Sequence, residues 1–416
     1  MTFEDLCMEL QRRAPGAWEL YRKTAQSRDL EARRQLRRLA WHREEGWAAR
    51  WWEGGGPRFA AASSPEDLSR AIAEAARIGT ATEPPPEWPS GQTTLPALAP
   101  VEPPPDLFDE LSRAISSASR GDALLSSLSL RSGSVRERIV NGAGLDVAQV
   151  QPLLDGIAVA LARGGPRAHE ARMPFRWPGK PEIESLAQRL ADAGTLPLSD
   201  RPTPFSAGQW LLDPAVSAAL LAAVSPLFSA ARTPRWVGRG PLAAPGVSIA
   251  DDASADAPFD GEGVATRRIL LVEAGARVGH LDDLRSARRS GRHPTGHGVR
   301  PSFRTPPRAG PRRISLETRE PVARAALLAG VTRGLFAAAL TAPVRVDLAE
   351  DRYEIEFTGI SVIAGRAQGP VAGARAAGRI SELLRRITGM SEDRQFFPMP
   401  FLTGSPTLLV ERASFD

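Results

Sequence analysis

Five histidines are the natural place to look for chemistry in this chain: His42, His169, His280, His293 and His297. The run His293-Pro-Thr-Gly-His297 has the i, i+4 spacing that puts two imidazoles on one helix face, the geometry of a zinc pair. Pro294 and the glycines at 291, 296 and 298 make the segment a loop, so the spacing loses that meaning. His280, with Asp282 and Asp283 beside it, could complete a nitrogen and carboxylate metal set with the pair. The alternative is a polar loop rich in Arg, Gly and His. His169-Glu170 begins like a zinc-protease motif, but Met173 and Pro174 follow, so the second ligand is missing and the helix would break. There is no Gly-x-Ser-x-Gly elbow and no phosphate-cradling Walker loop, and Gly238-Arg-Gly240 is too short to stand for one. Cys7 is the single cysteine, which excludes a disulfide framework and a thiolate cluster.

Charge gives a second candidate. Between Arg267 and Arg313 twelve arginines stand against three acids, Glu273, Asp282 and Asp283, while the whole chain carries only +5. Clustered arginine neutralises phosphates, so a nucleic-acid surface involving Arg288, Arg289 and Arg292 is one reading. Against it, Phe303 is the only aromatic within 285–313, which leaves no stacking platform. Prolines at 294, 301, 306, 307 and 311 also forbid a recognition helix. The preferred reading is that these arginines solvate a long loop or pair with carboxylates, including those of a partner protein or peptide.

The elements that must position these residues fit an α+β protein. A length of 416 residues implies two domains, and 42% hydrophobic with 24% charged residues is a globular balance. The division expected is 1–203 and 204–416: an N-terminal α/β-sheet domain, then a C-terminal β-rich domain with packed helices. No targeting segment or membrane span is read, since Arg324 and Arg333 interrupt the most apolar stretch, and the expected location is cytoplasmic. Leu30–Trp41 has helix formers without a clean period, so strand and helix both stay open. Gly46–Trp52, a Gly54–Gly56 turn and Arg58–Ala62 read as a hairpin. Ser64 and Pro65 start a helix, and residues 79–106, with nine prolines, read as a surface connector. Further helices are expected at 108–119, 181–193, 213–231 and 378–387, with strands near 124–131, 135–141, 157–177 and 268–280.

Phe259-Asp-Gly-Glu-Gly-Val-Ala-Thr-Arg-Arg-Ile-Leu-Leu-Val-Glu-Ala-Gly closely resembles a signature of the TldD/PmbA metallopeptidase family. Ser286-Ala-Arg-Arg, Thr295-Gly296 and Ser302-Phe-Arg-Thr-Pro-Pro-Arg-Ala-Gly-Pro continue the likeness. So do Tyr353-Glu-Ile-Glu-Phe-Thr-Gly, Gly369-Pro-Val-Ala-Gly, Gly378-Arg-Ile-Ser-Glu-Leu-Leu and Gly404-Ser-Pro-Thr-Leu-Leu-Val. In the first half, Arg43-Glu-Glu-Gly, the Ser-Ser-Pro-Glu-Asp-Leu helix start and Ile139-Val-Asn-Gly-Ala-Gly-Leu are similar to the family. The resemblance covers nearly the whole chain, is strongest from about Gln209, and favours strands for Leu30–Trp41.

The resemblance implies more than a fold. TldD-type subunits hold zinc on a His-Glu-x-x-x-His helix with a later cysteine, and the metal polarises water and the scissile carbonyl. The helix that should correspond here, 213–231, has neither histidine nor glutamate, and no cysteine follows it. The pattern is that of the TldE (PmbA) branch: no catalytic residue, no metal ligand and no cofactor in this chain, with zinc expected in a TldD-like partner subunit. The implied assembly is a heterodimer that takes extended, unfolded or leader peptides. A peptide- or partner-facing loop is expected at Thr295, Gly296, Ser302 and Arg304, the alternative being that its arginines stabilise the local fold. A self-sufficient metal site at His280, His293 and His297 is the rival reading, and a nucleic-acid binder the third.

Overall fold

The computed structural model describes residues 1–414 except 34–35, 79–81, 95–105, 177–182, 199–206, 230–233, 235, 239 and 256. The chain opens with helix α1 (Phe3–Arg13), where Thr2 and Asp5 exchange side-chain and backbone bonds in a capping box. Long strands β1 (Trp18–Arg33) and β2 (Leu36–Glu53) follow, then β3 (Gly56–Ala62). Leu30–Arg33 and Leu36–Trp41 are therefore strand, as the resemblance indicated, while 34–35 lie outside the described residues: Leu30 pairs with both Leu39 and Leu130, and that cross-strand pairing outweighs helix propensity. The β2–β3 turn uses Gly54 and Gly55 at positive φ, 63° and 83°. Helix α2 (Pro65–Ala75) starts at Ser64, whose side chain accepts from the Asp67 N–H, with Pro65 in the first turn. Next come β4 (Gly91–Thr94), α3 (Leu107–Ala118), β5 (Ala123–Asn141), β6 (Leu145–Gly164), β7 (Arg167–Arg176) and α4 (Ile183–Thr195).

These seven strands form one sheet, ordered β3-β2-β1-β5-β6-β4, with β7 also on β6. Two expectations change. The strands read at 124–131 and 135–141 are one continuous strand, because β5 pairs with β1 and β6 on both sides along its length. The connector is not all unpatterned: Gly91–Thr94 lies parallel to Leu145–Ala148. Trp177, the end of one expected strand, and the expected domain boundary at 203–204 lie outside the described residues.

The second half contains β8 (Ala207–Leu212), α5 (Pro214–Val224), β9 (Ser248–Asp252), β10 (Arg268–Glu273), β11 (Ala276–Arg277) and α6 (Leu284–Ser290). After these come β12 (Gly298–Val299), β13 (Arg308–Ala309), β14 (Arg313–Glu317), α7 (Arg324–Ala329), β15 (Arg333–Leu340), β16 (Arg345–Asp347), β17 (Arg352–Ile363) and β18 (Arg366–Arg379). The chain closes with α8 (Ile380–Arg385), β19 (Ile387–Met390), β20 (Gln395–Pro398), β21 (Leu402–Ser405) and β22 (Leu408–Ser414). They build a six-stranded sheet, β11-β10-β9-β14-β21-β20, and a seven-stranded sheet, β16-β17-β15-β8-β22-β19 with β18 on β17. Among the described residues no strand of the first half pairs with one of the second. Helices and three main sheets without a βαβ rhythm make this an α+β fold.

Alternation along the strands sorts the cores. In the N-terminal sheet, Trp18, Leu20, Trp47, Ala49 and Trp51 face α1 and α2, and Leu128, Leu130 and Ala158 on the same face meet α3 and α4. The opposite face presents Tyr21, Ala48, Ile139, Leu145 and Val147, which close on Phe259 and Phe303 of the second half. Gly46 leaves room for this: a Cβ there would stand 2.1 Å from the Phe303 ring. In the C-terminal half, Trp210, Leu212, Leu335, Ala337, Ile355 and Phe357 belong to the main core with α5 and α8. Leu211, Phe336 and Val362 lie on the other face of the same sheet, in a smaller cluster with Leu327, Leu328 and Val331.

Candidate functional site

The signature segment that begins at Phe259 folds as a tight turn held by its own carboxylate. Asp260 is buried; its Oδ1 accepts from the Glu262 and Val264 N–H groups at 2.8 and 3.0 Å, and its Oδ2 from Gly298 at 2.7 Å. Gly263 sits at φ +77°, where a Cβ would be 2.3 Å from Leu145, so glycine lets the turn press onto β6. Glu262 then spans the seam. One oxygen accepts from Arg50 of β2 at 2.6 Å and the other from the Leu284 N–H, at the start of α6, at 2.7 Å. Arg50 also donates to Glu19 of β1 at 2.9 Å, and Glu19 accepts from Arg300 as well. All four side chains are nearly or fully buried. Burial pushes the Glu262 carboxyl up to about 8 against the pull of Arg50, with Asp283, Asp260 and Glu19 adding to the rise. Two arginines and two acidic side chains thus hold one another inside the protein. The signature joins two halves of one chain and leaves none of these four side chains in solvent.

A strap from the proline-rich connector reinforces this seam. Glu83 takes both Arg285 (2.5 Å) and Arg289 (3.0 Å) of α6, and Arg288 lies 3.8 Å from Glu87. Trp88 packs edge-on to Trp52 and lies against the Arg50 guanidinium, with Cζ 4.9 Å from the ring centroid. The Asn141 amide donates to the Pro89 carbonyl at 2.8 Å. Arg292 is bidentate on Asp282, at 2.9 and 3.1 Å. The arginines that suggested a nucleic-acid surface are therefore engaged with carboxylates of this chain.

The histidines do not converge. His297 is fully buried; its Nε2 faces Asp251 Oδ1 at 3.1 Å and its Nδ1 the Thr295 carbonyl at 3.0 Å. His280 meets Asp282 Oδ2 at 3.0 Å, an oxygen that Arg292 also holds. His293 is exposed on the loop. Among the described residues no three His, Cys, Asp or Glu side chains group as a metal site would need, so the rival set His280, His293 and His297 is not assembled. The physical reason is the neighbouring charge: an arginine takes the carboxylate, and a carboxylate takes the buried imidazole. Asp251, His297 and Thr295 lie in sequence like a nucleophilic triad, but the Thr295 hydroxyl is committed to the Asp282 backbone, at 2.8 Å as acceptor and 3.0 Å as donor.

The four loop residues divide into two pairs. Thr295 and Gly296 are turned into the fold; Gly296 has φ +77° and room for no Cβ, which would meet the Ala265 carbonyl at 2.4 Å. They are packed into the local fold. Ser302 is half-buried, with its hydroxyl accepting from the Arg304 N–H at 3.2 Å, and the Arg304 side chain is exposed over Phe303.

Helix α5 stands where the resemblance places zinc ligands. It is shorter than 213–231: the α-helix ends at Val224 and a 3-10 turn carries on to Phe228, because Pro226 has no N–H to continue the ladder. Residues 230–231 of the expected helix lie outside the described residues. Val216, Ala218, Leu220, Leu221 and Val224 are all buried, and the helix supplies no nitrogen, thiolate or carboxylate. Burial pushes the Cys7 thiol up to about 12, which disfavours the thiolate a metal needs. The residues present do not fit a zinc ion.

Asp213 caps α5, its Oδ1 accepting from the Ala215 N–H at 3.0 Å. Burial pushes its carboxyl up to about 6, against that hydrogen bond and Arg324. Because the folded value lies above the ordinary one, the stability it contributes is full below about pH 3.8 and is lost as pH rises through about 6. Asp213→Asn keeps the cap acceptor and removes the titration. Its unfolding free energy should gain about 1–3 kcal/mol on wild type between pH 4 and 7, measured by urea unfolding at each pH. An unchanged difference across that range would contradict it.

Arg50 and Glu19 carry no motif, and only their contact with the second half reveals their part; Trp88 joins them through Arg50. Glu262 was visible as a signature residue, but not its partner.

Comparison with known proteins agrees with this architecture. The model of the PmbA/TldA metallopeptidase C-terminal domain matches residues 209–416, half of the chain. An uncharacterised protein of Methanocaldococcus jannaschii is 27% identical over 186 residues, 42% of this chain and 43% of that relative, so this chain spans less than half of it. The crystal structure of TldE from Thermococcus kodakarensis superposes with a TM-score of 0.83 at 18% identity, covering 99% of each chain. A proposed modulator of DNA gyrase from Thermotoga maritima superposes at 0.77, also with 18% identity, over the full length of both chains. At these identities the solved structures establish the fold, and the family model together with the signature turn establishes the kinship: this chain belongs to the PmbA/TldD metallopeptidase family.

Proposed function

We propose that this chain is a TldE-like, non-catalytic subunit of a cytoplasmic heterodimeric zinc peptidase. Its partner is a TldD-like chain that carries the His-Glu-x-x-x-His helix and the zinc. The observation that supports this best is α5, a helix packed as apolar core where the resemblance calls for metal ligands. The subunit's role is then steric. It closes a shared cavity with its partner, keeps folded proteins out and helps hold an extended peptide, such as an unfolded segment or a leader peptide. Intramolecular pairing of Arg285, Arg289 and Arg292 supports this reading over a nucleic-acid one. None of the described helices is long and apolar enough to cross a membrane.

Co-expression with a related chain that has an intact zinc helix tests the proposal. The two chains should co-purify, bind zinc stoichiometrically and cleave an unstructured peptide, while each alone shows background activity. Stoichiometric zinc and full peptidase activity in this chain alone would overturn it.

A further inference from the structure

We propose that the apolar cavity on the outer face of the C-terminal seven-stranded sheet binds the apolar C-terminal residue of a peptide, with Arg324 receiving the carboxylate. The cavity has a volume of about 180 Å³ and is lined by Leu211, Leu328, Phe336, Ile360, Val362 and Ala367, with Arg324 and Thr407 as its polar members. Strand alternation creates it. Leu211, Phe336 and Val362 point away from the main core, and α7 covers that face only in part, so Leu328, Phe336 and Ile360 stay half-buried and Ala367 exposed.

Size and charge choose the occupant. A dry cavity of roughly 150 Å³ holds a benzene ring, whereas drug-sized ligands need about 300–1,000 Å³. The cavity therefore accepts one isobutyl or benzyl group, and the rest of the ligand lies outside it. Thr407 is committed, its hydroxyl donating to Asp393 at 2.8 Å. Arg324 is different. Its side chain is about half exposed (49%), and its guanidinium lies 5.1 Å from the centre of the Phe336 ring. It stands 3.5 Å from Asp213 and 3.7 Å from Asp393, well beyond the roughly 2.7–2.9 Å of a charge-assisted hydrogen bond. The two acids orient the guanidinium and leave its N–H groups for an incoming carboxylate. They also offset its charge, so a small inorganic anion gains little, and binding requires the apolar group and the carboxylate together. The cavity is lined by residues of this chain, so its occupation is tested on this chain without a partner subunit.

Titration of the full chain with Nα-acetyl-L-leucine, its amide and Nα-acetylglycine, followed by calorimetry or saturation-transfer NMR, tests the site. Saturable binding of Nα-acetyl-L-leucine is expected, with the amide and the glycine compound each weaker by roughly tenfold or more. Arg324→Gln should reduce the acid to the level of the amide, and Ala367→Phe should abolish binding by filling the cavity, with melting temperatures checked for both. Equal binding of acid and amide by the wild-type chain overturns the role of Arg324 even if that variant fails to fold. Absence of binding at millimolar concentration, or binding that survives Ala367→Phe, overturns the site.

Discussion

Arg50→Met should lower the unfolding free energy by about 3–5 kcal/mol, the range for removing one partner of a buried charged group. The substitution keeps much of the stem volume that packs near Trp52 and Trp88. It removes the cation from Glu262, which is fully buried, and leaves Glu19, 1% exposed, with Arg300 alone, so the two acids would face each other across the seam without the guanidinium that separates them. The cost should grow with pH. Glu262 already has a folded value of about 8, above its ordinary 4.5, so stability from this group is full below about pH 4.5 and lost as pH rises through about 8. Without Arg50 its carboxyl moves further up and the loss extends to higher pH. Urea unfolding at pH 5 and pH 8.5 measures both effects, and a loss under about 1 kcal/mol at the higher pH would mean the seam opens to water. Adding Glu262→Gln to Arg50→Met should recover part of the deficit, because one stranded charge is gone; a purely additive double variant would show that the two groups do not interact.

Asp251→Ala should cost about 3 kcal/mol or more, while His297→Ala should cost only about 1–3 kcal/mol. Asp251 is fully buried in β9 and accepts from the Arg312 N–H at 2.9 Å, the Arg313 N–H at 3.2 Å and faces His297 Nε2 at 3.1 Å. Removing it orphans two part-buried backbone donors and a fully buried imidazole. Removing the histidine leaves the carboxylate with two donors. The order of the two losses separates a fold-holding histidine from a chemical one: thermal unfolding should rank Asp251→Ala below His297→Ala, and the reverse rank would show that His297 carries more than this bond.

The elements with short-range causes were legible. The Ser64-Pro65 helix start, the Gly54-Gly55 turn and the apolar faces of α3 and α4 each follow from neighbours within a few residues. Leu30–Trp41 was not, because Leu30–Ala32 pair with Leu128–Leu130, about a hundred residues away, and Leu36–Trp41 pair in turn with Arg28–Arg33. Gly91–Thr94 escaped notice for the same reason: a four-residue parallel strand has too little pattern of its own, and β6 alone gives it hydrogen-bond partners.

The segment from Arg285 to Arg304 shows how the same limit applies to a site. Its residue types suggested a metal set, a ligand-facing rim or a basic surface, and each reading required knowing which way a side chain points. Asp251, Asp282 and Glu83, the carboxylates that settle the matter, come from three other segments. Pairing at about 3 Å cannot be inferred across tens to hundreds of residues from one sequence.

By itself the sequence determined composition-level and local matters: an α+β chain, a helix at 213 without histidine or glutamate, a lone cysteine and a family signature from Phe259. An absent ligand type remains absent in any fold, which is why the missing histidine and glutamate on α5 could be read before the structure. Tertiary structure decided what the charged residues are for. Low dielectric at the seam makes Arg50, Glu19, Glu262 and Arg300 depend on one another, and the packing of the two halves makes the family signature a buried clamp.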